Sequence, residues 1–121
     1  MDRSRRLRRG PEFDTAYQKG TVVRGPLLIV RGRRSGLART RWGFAVGRRL
    51  VAKAHDRNRV RRRLREAARW AGVGEGWDIV VVAREGAVAA RFEALVEEVR
   101  RLVRRLVREE GKGGSPTGGG G

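Results

Sequence analysis

At 121 residues the chain has room for one domain with a modest core and is too short for two. Lys and Arg number 30 against 13 Asp and Glu, a net charge of +17, so the chain calls for a polyanionic partner: RNA, DNA or an anionic membrane. Cysteine is absent, which excludes disulfides and thiolate metal sites, and no apolar run approaches the roughly 18 residues that a membrane span needs.

The first ten residues, MDRSRRLRRG, carry charge with no apolar region behind it, so they do not read as a secretory signal. Residues 1–9 are expected to be a flexible basic arm. Gly10-Pro11 marks a turn into a short predicted helix, Glu12 to Lys19, where Phe13, Ala16 and Tyr17 share one face. Gly20 is placed to end it. Residues 22–30, VVRGPLLIV, are rich in β-branched and apolar side chains and read as one strand, with Gly25-Pro26 as a bulge or edge feature. GRRSGLART, 32–40, reads as a basic loop. RWGFAV, 41–46, alternates Trp42, Phe44 and Val46 with Gly43 and Ala45, the pattern of a strand with one buried face. These two strands are expected to form a hairpin.

From about Ala52 to Ala71 the pattern turns helical, with Val60, Leu64, Ala67, Ala68 and Ala71 in a single apolar stripe. Gly72, Gly74 and Gly76 break it. WDIVVVA, 77–83, is nearly all apolar and reads as a buried strand. Val88 to Arg108 reads as one amphipathic helix with a stripe from Phe92 to Val107. The tail GKGGSPTGGGG, 111–121, cannot form a core and is expected to be disordered. The expected organisation is a single domain over 10–110 with element order α-β-β-α-β-α, an α/β (α+β) two-layer sandwich with helices against a small central sheet.

The most unusual stretch is RNRVRRRLRE, 57–66. With Val60 at zero on a helical wheel and about 100° per residue, Asn58, Arg62, Arg65 and Arg69 point away from the apolar stripe. Arg61 and Arg63 flank the stripe, where their stems can lie over the core edge. Arg57 projects near the apolar side one turn ahead of it and can reach across the helix end. Between Arg48 and Arg69 stand ten Lys or Arg and only two acids, Asp56 and Glu66. A solubilising surface mixes signs. One-signed crowding such as Arg57–Arg61–Arg65 costs stability, which favours a phosphate-binding face with Asn58 as a neutral hydrogen-bonding member.

No autonomous active site is legible. His55 is the only histidine and has no metal or triad partner in the pattern. Asp56 is placed to stabilise the start of its helix. The remaining acids are dispersed, and Glu93, Glu97 and Glu98 read as a solvated helix face. Trp42 and Phe44 read as sheet core, and Trp70 and Trp77, flanking the glycine turn, as packing.

The run GFAVGRRLVAKAHDRNRVRRRLREAAR, 43–69, resembles the signature of the bacterial ribonuclease P protein component, a "GF.V.KK" strand end followed by an "RNR.KR..RE" helix. Upstream, LRRGPEFDTAYQKGTVVRGPLLIV resembles the family's "L....F......G....G" segment, and downstream WDIVVVAREGA resembles its "D.V..AR..A" strand. The resemblance covers about residues 7–108. It implies the non-catalytic protein subunit of an endoribonuclease ribonucleoprotein. In that enzyme a catalytic RNA with bound Mg2+ removes the 5′ leader of precursor tRNA, in the cytoplasm and with no further protein partner required. It implies that Arg57, Asn58 and Arg59 match the "RNR" triplet, that Arg61, Arg62, Arg65 and Arg69 continue the face toward the RNA subunit, and that Arg48, Arg49 and Lys53 form the basic stretch before it. It places Phe13 and Tyr17 in the cleft that holds the leader. It also implies a left-handed β-α-β crossover spanning strand 41–46, the basic helix and strand 77–83, where generic handedness predicts a right-handed one. Two departures stand out: Gly47 where Ser or Ala is common, and Leu28, Ile29, Val30 and Arg31 where many members carry an aromatic. The competing readings are a ribosomal or general RNA-structuring protein, and a DNA-binding protein, the latter disfavoured because no second short helix precedes at helix-turn-helix spacing.

Overall fold

A computed structural model of the protein describes residues 20–113. The expected helix 12–19, with Phe13 and Tyr17, and the arm 1–9 lie outside the described residues. The described elements are β1 (Thr21–Arg24), β2 (Leu28–Arg34), β3 (Arg41–Ala45), α1 (Ala54–Ala68), β4 (Trp77–Ala83), α2 (Glu85–Val88) and α3 (Phe92–Gly113).

The four strands form one sheet in the order β1-β2-β4-β3. β2 pairs antiparallel with both β1 and β4, while β3 runs parallel to β4. This corrects the expected strand pairing in two ways. The stretch 22–30 is two strands rather than one: Gly25-Pro26 is the hairpin turn between β1 and β2, closed by a Gly25 N–H donated to the Leu28 carbonyl at 2.9 Å. The segment 41–46 forms no hairpin with its predecessor; β4 lies between them. β4 takes that interior place because its residues are apolar on both faces, with Ile79, Val80 and Val81 all fully buried. β2 also continues through Arg34, into the stretch 32–40 expected to be a loop.

α1 is the crossover between the parallel neighbours β3 and β4. It packs on β3, α3 packs on β1 and β2, and the two helices touch. They enclose one core. Val60, Leu64, Ala67 and Ala68 of α1 and Leu95, Val99, Leu102 and Leu106 of α3 meet Val30, Ile79 and Val81 of the sheet. Burying each such Leu contributes roughly 1.5–3 kcal/mol. Alternation along the strands sends the other row (Arg31, Val80 and Gly43, paired across three strands) to the opposite face of the sheet.

The predicted helix from Val88 is interrupted. α2 ends at Val88, and α3 starts from the Arg91 carbonyl, which accepts the Ala94 and Leu95 amides. Between them the Ala90 carbonyl accepts a 2.6 Å hydrogen bond from Arg63 of α1 instead of closing a helical turn. α3 then continues to Gly113, past Arg108 and into the stretch 111–121 expected to be disordered, the rest of which lies outside the described residues.

One acid expected on a solvated face is buried. Glu98 is 4% exposed and reaches from α3 to the β1–β2 turn, accepting the Leu27 amide at 2.8 Å and the Leu28 amide at 3.2 Å. Arg101 pairs with its other oxygen. Glu98 was expected on a solvated face with Glu93 and Glu97, but the turn supplies two amides that a carboxylate can satisfy without solvent.

Candidate nucleic-acid interface

α1 forms because its apolar stripe has a sheet to lie on. Its N-terminal approach is a turn in which the Gly47 carbonyl accepts the Leu50 and Val51 amides. That turn leaves Arg48 and Arg49 exposed. Lys53 precedes the helix in an extended conformation, also exposed, and Asp56 lies in the first turn.

Arg57 turns back across the helix end, donating to the Val51 carbonyl at 3.1 Å and to the Ala52 carbonyl at 2.6 Å. It ties the incoming turn to the helix, as its wheel position predicts. Asn58, Arg59 and Arg62 are exposed. Asn58 Oδ1 accepts a hydrogen bond from the guanidinium of Arg61. The Asn therefore orients a neighbouring cation and keeps its amide nitrogen for another acceptor.

Arg65 departs from expectation. Rather than pointing outward with Arg62 it is half-buried, its guanidinium 5.8 Å from the ring centroid of Phe44. The partly covered Phe44 ring at the sheet edge offers a π-face that a planar cation covers. Phe44 is itself stacked on buried Trp42 at 6.2 Å. Arg69 is exposed and pairs with Glu66 at 3.3 Å. Arg48, Arg49, Lys53, Asn58, Arg59, Arg62 and Arg69 thus make up the solvent-facing part of the predicted site. Arg57, Arg61 and Arg65 are its half-buried supports.

The opposite face of the sheet carries charges that the chain-order reading did not single out. Cross-strand register lines Arg33 of β2, Asp78 of β4 and Arg41 of β3 in a row. Arg41 clasps Asp78 bidentately, at 2.9 and 2.8 Å. The alternation of Arg31 with Arg33 was the available signal, but it was hidden by reading 32–40 as a loop. Trp77 is buried at 3%, as expected of packing, whereas Trp70 is 63% exposed, which corrects its assignment to packing. It follows the end of α1, beyond the point where the apolar stripe meets the sheet.

Among the described residues no three His, Cys, Asp or Glu come together to hold a metal ion, and no helix is long and apolar enough to cross a membrane.

A family model for Ribonuclease P matches residues 1–107. The chain is 40% identical over 117 residues to the ribonuclease P protein component of Symbiobacterium thermophilum, covering 92% of this chain and 100% of that protein. It is 33% identical to that of Pseudomonas aeruginosa, covering 97% of this chain and 88% of the other. Among solved structures it resembles the RNase P protein from Thermotoga maritima, with a TM-score of 0.73 and 28% identity over 83% of this chain and 96% of that one.

Proposed function

The chain belongs to the ribonuclease P protein family, and from that premise we propose how its residues serve an endoribonuclease of tRNA processing. The solvent-facing cations of α1 and its approach grip the phosphates of the RNA subunit: Arg48, Arg49, Lys53, Arg59, Arg62 and Arg69, with Asn58 among them. Arg57, Arg61 and Arg65 hold that surface in shape and add their charge to it. The observation that carries this is the one-signed composition of the α1 face, whose acid Glu66 is already paired with Arg69. Such contacts position an RNA and carry no sequence code by themselves.

The chemistry belongs to the RNA subunit. Among the described residues the acids serve other ends: Asp78 is clasped by Arg41, Glu98 lies under the β1–β2 turn, and Asp56 lies in the first turn of α1. No three of these described acids come together as a protein-borne nuclease would require. On this reading magnesium belongs with the RNA subunit, where it would activate the attacking water. Phe13 and Tyr17 are proposed to receive the 5′ leader of precursor tRNA by stacking, which tolerates any base because every base has a π-face. The complex is proposed to act in the cytoplasm without a further protein subunit.

Reconstitution with a bacterial ribonuclease P RNA at low magnesium tests this reading. The protein should stimulate cleavage of precursor tRNA, and no stimulation overturns the reading. A general RNA-structuring protein is separated by leader dependence: the holoenzyme should bind precursor tRNA more tightly than matured tRNA, and equal binding favours the general module.

A further inference from the structure

Beyond the α1 face, one surface combines an exposed aromatic ring with cations that the described structure leaves directed at solvent. A cavity of about 510 Å³ lies between the glycine loop after α1 and α3, lined among others by Trp70, Arg34, Arg100 and Arg104. That volume lies within the roughly 300–1,000 Å³ of ligand pockets. Its apolar floor includes Val103 and Trp77, both buried. Arg34 is held in place by Trp77, its guanidinium 4.8 Å from the ring centroid. Arg100 and Arg104, one helical turn apart on α3, are exposed.

The acid lining this cavity, Glu75, is already engaged: its carboxylate accepts the Thr40 amide at 2.8 Å. The loop is pinned at the same place, where Thr40 Oγ1 donates to the Gly74 carbonyl at 2.6 Å and the Ser35 amide donates to the Gly76 carbonyl at 2.8 Å. The rim is thus preformed. On its other side Trp70 borders a second groove that holds Glu93 and Glu97 together with Arg100. A polyanion on Trp70 is therefore confined to the Arg34–Arg100–Arg104 side.

We propose that this cavity binds a single-stranded RNA segment, with one base stacked on Trp70 and the flanking phosphates on Arg34, Arg100 and Arg104. An exposed indole among cations is the arrangement that captures unpaired nucleotides: stacking supplies sequence-tolerant affinity and the cations hold the backbone. The site rests on the RNA-binding reading above but uses none of the α1 face, so one RNA can occupy both. The segment comes from either the RNA subunit or the substrate.

The chain has no cysteine, so a single introduced one can be labelled cleanly. A Cβ at Gly74 meets no atom within 4 Å, and Gly74→Cys on the full chain can carry a photo-crosslinker at the cavity rim. Ala54→Cys, exposed at the start of α1, probes the other face in parallel. Each full-length protein is assembled with a bacterial ribonuclease P RNA and precursor tRNA, one RNA labelled at a time to identify the source. The Gly74→Cys probe should crosslink to unpaired nucleotides. Adding Trp70→Ala should cut the yield by roughly 5- to 150-fold, as loss of one stacked base implies, whereas Trp70→Phe should retain most of it. Arg100→Glu with Arg104→Glu should have the same effect as Trp70→Ala, independently of any effect of Trp70 on folding.

A crosslink from Ala54→Cys with none from Gly74→Cys overturns this inference and leaves the family reading standing. No crosslink from either overturns this inference together with the proposed RNA grip of the α1 face. A Gly74→Cys crosslink to protein, including a second copy of the chain, or one that both sets of variants leave unchanged, also overturns the site.

Discussion

Glu98 Oε2 lies 2.8 Å from the amide nitrogen of Leu27, although 71 positions separate the two residues in the chain. Through this contact, and the Leu28 amide beside it, the last helix caps the first hairpin turn. A Cβ on Gly25 would collide with the same carboxylate, so glycine is what allows the approach. Glu98→Ala leaves amides without their acceptor in a largely buried place and should cost about 2–4 kcal/mol of stability. The shift of the urea midpoint measures it, and an unchanged midpoint would show that water replaces the carboxylate.

Gly32 of β2 faces α3 at similarly close range. A Cβ there would stand 2.7 Å from Leu106 Cδ2 and 3.0 Å from the Asp78 carbonyl oxygen. The carbonyl cannot yield without disturbing β4, so Gly32→Ala should push α3 off the sheet and destabilise by about 1–3 kcal/mol. Thermal unfolding of the full chain checks this, with Gly47→Ala, where the added Cβ meets nothing within 4 Å, as the comparison.

Arg57 and Arg62 belong to one cationic helix but have different duties. Arg62→Ala should leave stability within about 0.5 kcal/mol, because the side chain is exposed. It should lower affinity for the RNA subunit and reduce the log–log salt slope by about 1. Arg57→Ala also removes hydrogen bonds to the Val51 and Ala52 carbonyls, so it should lose about 1–2 kcal/mol of stability as well as RNA affinity. Paired melting and salt-titration measurements separate the two. Identical behaviour would dissolve the distinction between gripping and supporting residues.

Asn58→Ala should weaken assembly with the RNA, since it frees Arg61 from the hydrogen bond that orients it. Gel-shift titration of the RNA subunit reads this, and unaltered affinity would remove Asn58 from the interface.

Tyr17→Ala should act on a different equilibrium. It should reduce the preference of the holoenzyme for precursor over matured tRNA by roughly 5- to 150-fold, the range expected for one base-stacking contact. Affinity for the RNA subunit should stay unchanged. If Tyr17→Ala and Arg62→Ala affect assembly and leader binding alike, leader and RNA subunit do not have separate residues.

Local periodicity by itself determined much of this protein. The helical stripe of Val60, Leu64, Ala67 and Ala68 is buried as its 3.6-residue spacing requires, and the apolar run 77–83 is strand β4 with the expected bounds. The cationic face of α1 and the reach of Arg57 across its end also follow from angles along a single helix. Tertiary structure decided what depends on distant partners. Residues 22–30 satisfy a strand pattern whether Gly25-Pro26 is a bulge or a turn; pairing Arg24 with Ile29 resolves it as a turn. The alternation in 41–45 shows a buried face but not a neighbour, and β4 becomes that neighbour because it is apolar on both sides. Glu98, Arg65 and Trp70 all depart from what their own stretch of sequence suggests, for one reason. Whether a side chain is buried, stacked or exposed depends on what another element places beside it, and here those elements are the β1–β2 turn, the ring of Phe44, and the open end of the groove between α1 and α3.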